Sequence, residues 1–122
     1  MHTDKPIILV VDDDPAVRDS LKFSLELEGL TVHACDSGQA LLDRSDLGQA
    51  GCIVLDYKMP EMDGLEVIEK LEERLIQVPV ILITSSLPTQ IRKRASRAGV
   101  AHILEKPLLG SILIDRIREI TS

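Results

Sequence analysis

Aromatic side chains are almost missing from this chain: Phe23 and Tyr57 are the only two, and there is no tryptophan. Single-stranded nucleic-acid binders stack bases on such rings, so that class is disfavoured, and the core must be built from Ile, Leu and Val. Cysteine is scarce as well. Cys35 and Cys52 offer neither a disulfide framework nor zinc-ligand spacing; they read as small buried hydrophobes in a reducing compartment. An excess of positive charge is also absent. A formal charge of −6 and a pI near 5.0 argue against direct nucleic-acid binding through phosphate neutralisation. Finally, the opening Met1-His2-Thr3-Asp4-Lys5-Pro6 has no basic n-region, and only five apolar residues follow it. That run is too short for a signal peptide or a membrane span, which leads to the expectation of a cytoplasmic protein with no membrane partner.

What is present is a regular alternation. At 122 residues, 44% hydrophobic and 28% charged, the chain fits one globular domain over residues 1–122. Short apolar runs of strand type, Ile7–Val11, Leu30–Ala34, Cys52–Leu55, Val80–Ile83 and Ala101–Leu104, alternate with helical patterns. Asp14-Pro15 reads as an N-cap followed by proline at the first helical position. Val17, Leu21 and Leu25 then recur at four-residue spacing until Gly29 stops the helix. Short helical patterning covers Gln39–Arg44; Leu65, Ile68, Leu71 and Leu75 form the inward stripe of the third helix. The fourth helix spans Thr89–Ala98 and is basic. The last buries Leu109, Ile112, Leu113, Ile117 and Ile120, with Ile114 off the stripe. Five βα units imply an α/β fold with a parallel five-stranded sheet and helices on both faces. The flavodoxin-like order 2-1-3-4-5 is the natural solution, with its switch point between strands one and three.

Those two strands end in acids. Asp12 and Asp13 close the first run and Asp56 closes the third, so three carboxylates meet in the crevice where open α/β sheets gather their reactive groups. Anions crowded in a partly dry site repel strongly. A hard divalent cation with oxygen ligands would neutralise them, and Mg²⁺ fits best, with Mn²⁺ able to substitute.

Five motifs now fall in order at strand ends: Val11-Asp12-Asp13-Asp14, Leu55-Asp56-Tyr57-Lys58-Met59-Pro60, Met62-Asp63-Gly64, Ile83-Thr84-Ser85 and Glu105-Lys106-Pro107. Together they resemble the response-regulator receiver domain of two-component signalling, in particular receivers of nitrogen-fixation-type transcription regulators, from Ile7 to Ile120. The resemblance implies that Asp56 is the phosphoacceptor and forms an acyl phosphate. It implies a cation held by Asp13, by Asp12 mainly through water, by Asp56 and by the main-chain carbonyl of Lys58. Lys106 and Thr84 would each meet a phosphoryl oxygen, the lysine aimed by a cis Lys106–Pro107 bond. Lys58 and Ser86 would adjust attack by water on the acyl phosphate. The implied donor is a sensor histidine kinase or histidine phosphotransfer protein, and the implied output surface, open to homodimerisation, is helix 4, strand 5 and helix 5. Such a phosphoprotein is not an enzyme beyond its own phosphoryl transfer and autodephosphorylation. One position departs from the family: Ile103 stands where a Tyr or Phe usually couples to the threonine.

Each feature has a plainer reading. Asp14 serves as a helix cap. His2, His33 and His102 show no ligand spacing and read as structural or surface residues. Arg92, Lys93, Arg94 and Arg97 form either a solvated helix face or a partner surface. Two other activities fit less well. Aspartate-nucleophile phosphatases place a second acid two residues after the nucleophile, where this chain has Lys58. A flavin binder would need a phosphate-cradling loop after strand one and more aromatic material. A binding module whose output ignores phosphorylation is the alternative that Ile103 supports.

Overall fold

The computed structural model of the chain describes residues 6–86 and 88–122; His2 lies outside them. Five strands alternate with five helices: β1 (Ile7–Val11), α1 (Pro15–Leu27), β2 (Thr31–Cys35), α2 (Gly38–Leu42), β3 (Cys52–Asp56), α3 (Gly64–Glu73), β4 (Val80–Thr84), α4 (Thr89–Arg97), β5 (His102–Glu105) and α5 (Ile112–Thr121). All pairings are parallel, in the order β2-β1-β3-β4-β5. The expected flavodoxin-like order is the observed one. No helix among the described residues is long and apolar enough to cross a membrane.

Strand alternation divides the core into two layers. Leu9, Val11, Ile53, Leu55, Val80 and Leu82 point to the side covered by α2, α3 and α4. Ile8, Val10, Val54, Ile81 and Ile83 point to the side of α1 and α5. Because β1, β3 and β4 are covered on both sides, nearly every residue in them is buried, which explains their unbroken apolar runs. Each fully buried Ile, Leu or Val contributes roughly 1.5–3 kcal/mol. The two thiols are also divided: Cys35 belongs to the α2–α4 layer and Cys52 to the α1–α5 layer. Both are free and buried.

Several boundaries differ from the sequence expectation for physical reasons. β2 starts at Thr31, because the Leu30 N–H is used to close α1 by donating to Leu25 O (3.2 Å). At the other end it includes Cys35. α2 starts at Gly38 with Ser37 as its cap, the Ala40 N–H donating to Ser37 Oγ at 3.0 Å. It ends at Leu42, short of Arg44. β5 is shifted one residue onward, to His102–Glu105. Leu75 is not on the buried stripe of α3. It lies past the helix end at φ +58 and is 87% exposed, while Val67 is fully buried in the layer next to Gly38 of α2. Leu109 likewise precedes α5 and is exposed. Ile114, expected off the stripe, is buried in the α1–α5 layer, because α5 packs against α1 as well as against the sheet.

Candidate functional site

The register of β1 on β3 pairs Val11 with Leu55, so the next residues, Asp12 and Asp56, lie side by side at the end of the sheet. One carboxylate oxygen from each of Asp12, Asp13 and Asp56 lies within 4.8 Å of the others. Asp12 and Asp56 are buried, 2% and 7% exposed, whereas Asp13 is exposed. Burial pushes the Asp12 carboxyl above the ordinary range, opposed by the N–H of Asp14 and by Lys106. Asp56 is raised by burial and then by the Asp12 charge, with Lys106 opposing both. Lys106 Nζ stands 3.3 Å from Asp56 Oδ1. Three hard oxygen donors, two of them desolvated and one open to solvent, fit an octahedral Mg²⁺ or Mn²⁺ that keeps water ligands. They do not fit a thiophilic metal.

Lys106 is placed by the neighbouring strand: its N–H donates to Thr84 O at 2.8 Å, and the Lys106–Pro107 bond is cis. Thr84, at the end of β4, is 2% exposed. Its hydroxyl donates to Ser86 O at 2.9 Å and accepts from Ser86 N at 3.2 Å. Behind Asp56, the N-terminus of α3 comes very close. Gly64 N donates to Tyr57 O at 2.7 Å, and a Cβ at Gly64 would lie 2.9 Å from Asp56 O and from Tyr57 Cα. That approach excludes any side chain there.

The turn after β1 is held by nested bonds. The Asp14 N–H donates to Asp12 Oδ1 (2.9 Å), and Asp14 Oδ1 in turn caps α1 by accepting from Ala16 N (2.9 Å) and Val17 N (3.4 Å). Asp14 is thus the expected cap. Arg18, half-buried on α1, donates from Nη1 to Asp12 O at 2.9 Å. Sequence reasoning overlooked this residue. Its signal was a cation near a helix N-terminus, where the macrodipole disfavours one.

The structure therefore brings Asp12, Asp13, Asp56 and Lys106 together, and sets Thr84 on the adjoining strand end with its hydroxyl turned into its own loop. Lys58 lies two residues beyond Asp56 with an exposed side chain. Ile103 is half-buried against the α2–α4 layer. Of the basic stripe, Arg92 pairs with Glu105 at 2.9 Å and Arg94 with Glu69 at 2.7 Å. Lys93 and Arg97 are exposed. His33 Nδ1 meets Arg44 Nη2 at 2.8 Å, and His102 Nε2 lies 3.7 Å from Glu119; both are structural contacts.

The chain as a whole is similar to known proteins. The family model described as the response regulator receiver domain matches residues 8–118. The transcriptional regulatory protein FixJ of Azorhizobium caulinodans is 39% identical over 109 residues, covering 89% of this chain and 52% of that protein. The C4-dicarboxylate transport transcriptional regulatory protein DctD of Pseudomonas aeruginosa is 36% identical over 111 residues, covering 91% of this chain and 24% of that protein. The chain thus spans from about a quarter to about half of the length of these relatives. Among solved structures, the crystal structure of FixJ-N superposes with a TM-score of 0.87 at 30% identity, covering 98% of this chain and 95% of the other.

Proposed function

Since the chain belongs to the response-regulator receiver family, whose general mechanism is phosphorylation of an aspartate, we propose that Asp56 is the phosphoacceptor and that Asp12, Asp13 and Asp56, with the main-chain carbonyl of Lys58, hold the Mg²⁺ that phosphorylation requires. The observation that carries this reading is the meeting of three carboxylates within 4.8 Å, with one lysine 3.3 Å from Asp56. Bound there, the cation would neutralise charge on the phosphoryl oxygens and on the acids themselves. The remaining work belongs to the chain. An Asp56 oxygen attacks the donor phosphorus; the P–N bond of a phosphohistidine, or the P–O bond of a small acyl phosphate, breaks and its electron pair leaves with the donor. Phosphoryl transfer needs in-line positioning and neutralisation of the equatorial oxygens more than covalent help. Lys106 supplies a compact positive charge, and Thr84 supplies a hydroxyl once it leaves Ser86. Attack of water on the phosphorus breaks its bond to the Asp56 oxygen, releases inorganic phosphate and regenerates the carboxylate, with Lys58 and Ser86 flanking its path.

The donor we propose is a sensor histidine kinase or a histidine phosphotransfer protein. The output surface is α4, β5 and α5, the surface on which a homodimer would form. The test is incubation with Mg²⁺ and acetyl phosphate: one phosphoryl group added to Asp56 supports the reading, and its absence overturns it.

A further inference from the structure

We infer that Arg18 is a positioning residue for the cation site, a backbone clamp that aims Asp13 by fixing the peptide plane between residues 12 and 13. This inference rests on the reading of Asp12, Asp13 and Asp56 as the Mg²⁺ site.

Asp12 lies one residue past the last pairs of β1, Val11 with Cys35 and Val11 with Leu55. Its N–H still joins the ladder, donating to Cys35 O at 3.2 Å. Its carbonyl has left the sheet, and Arg18 Nη1 is the group that meets it, at 2.9 Å. The peptide unit is planar and rigid, so the carbonyl of Asp12 and the N–Cα bond of Asp13 turn as one body. Holding that carbonyl fixes the direction in which Asp13 leaves the chain. The Asp12 side chain is held separately, by the Asp14 N–H on Oδ1, and the Asp14 side chain is committed to the helix cap. Asp13, the exposed member of the trio, is thus oriented through its backbone, and Arg18 is what grips that backbone.

The placement of Arg18 on α1 supports this role over a general stabilising one. It is the fourth residue of a helix with no acid in its first turn; a cation at this end works against the macrodipole, and an uncharged residue would suit the helix itself better. Nor is it the counter-ion of the acid pair. The cation acting on the Asp12 carboxyl is Lys106, whereas Arg18 donates to a main-chain carbonyl. Groups outside the ligand set that hold ligands in place typically govern metal affinity by a factor of about 10–100.

The test is Mg²⁺ titration of the whole chain by calorimetry, for the wild type, Arg18→Met, Arg18→Lys and Asp13→Asn, alongside melting of each protein without metal. Arg18→Met should weaken Mg²⁺ binding about tenfold while the metal-free protein melts near the wild-type temperature. Arg18→Lys, which keeps a long cationic donor, should recover most of the loss. Should Arg18→Met fail to fold, Arg18→Gln replaces it, since its stem is too short to span the turn. Wild-type affinity in Arg18→Met, or equal weakening in Arg18→Met and Arg18→Lys with a lowered melting temperature in both, overturns the clamp alone. Absence of Mg²⁺ binding by the wild type, or unchanged binding by Asp13→Asn, overturns the metal site and the clamp with it.

Discussion

Thr84 and Ser86 close a turn on each other: the threonine hydroxyl donates to the Ser86 carbonyl at 2.9 Å and accepts from the Ser86 N–H at 3.2 Å. A hydroxyl has one proton to give, so Thr84 cannot keep this turn and also donate to a phosphoryl oxygen on Asp56. Binding of beryllofluoride, an acyl-phosphate mimic, should therefore break the bond to the Ser86 carbonyl and loosen the turn, which raises the exchange of the Ser86 N–H with solvent. The change should spread to α4, β5 and α5, where Arg92 links α4 to the end of β5 through Glu105. With Ile103 in place of a ring, the shift should be modest, with an active-like population present even before phosphorylation. Exchange changes confined to α1 and α2 would count against this route.

Asp56 should be the sole acceptor. With acetyl phosphate and Mg²⁺ the chain should gain one phosphoryl group, labile to base and hydroxylamine, and Asp56→Asn should gain none. Mass spectrometry reads this directly. Persistent labelling of the variant at Thr84 or at a histidine would sink the assignment.

Chelation and pH test the acid cluster together. Asp12 and Asp56 both have carboxyls raised above their ordinary range, burial being the first cause. Such a group holds its proton more tightly folded than unfolded. From the ordinary carboxylate value near pH 4 upward to the raised value, stability therefore falls as pH rises, and the cost is present in full above that window. Asp12→Asn should melt higher than the metal-free wild type at pH 7, and the gap should close towards pH 4. Mg²⁺ at a hundred times its dissociation constant should stabilise the wild type by about 2.7 kcal/mol, roughly 10 °C for a domain of this size. EDTA should stop phosphorylation. Identical melting of the two proteins from pH 4 to 7, or transfer undiminished in excess EDTA, contradicts the cluster's role.

Leu75 is the place where stability should be easy to gain. Three helices close with the same pair of backbone bonds: Gly29 N to Glu26 O and Leu30 N to Leu25 O after α1, Leu75 N to Glu72 O and Ile76 N to Leu71 O after α3, Gly99 N to Ser96 O and Val100 N to Ala95 O after α4. Glycine takes the left-handed position after α1 and α4, but after α3 it is leucine, at φ +58, with its side chain 87% exposed. A side chain pays roughly 1–2 kcal/mol for that conformation, against a smaller entropy loss for glycine. Leu75→Gly should stabilise the domain by about 0.5–1 kcal/mol, read as a rise in denaturation midpoint. A fall instead would mean that Leu75 packs on something in solution.

The same comparison shows what the sequence made legible. Strands buried on both sides must be apolar throughout, so β1, β3 and β4 were readable as runs, and the acids at the ends of β1 and β3 located the crevice. Asp14 and Gly29 were readable because caps act locally. Leu75 was not, since a leucine gives no sign that its backbone has turned left-handed. Ile114 was not, because its burial depends on α1, a helix nearly a hundred residues away in sequence. Arg18 escaped for a related reason: its partner is a main-chain carbonyl, which carries no residue identity. Thr84, Lys106 and the acids were linked by order along the chain and by resemblance to a family, whereas the 3.3 Å approach of Lys106 to Asp56 needed coordinates.

The division of the two thiols gives the domain a pair of built-in reporters. Cys52 is fully buried among aliphatic side chains, and burial pushes its thiol up to about 12; Cys35 is also raised by burial, with Arg44 opposing. Alkylating reagents attack the thiolate, so neither sulfur reacts until the layer above it opens. Since Cys52 lies on the α1–α5 side of the sheet and Cys35, on edge strand β2, on the side covered by α2, their separate alkylation rates would time the opening of each side. A single chemical probe can thus tell whether the two coats of the sheet come away together or in turn.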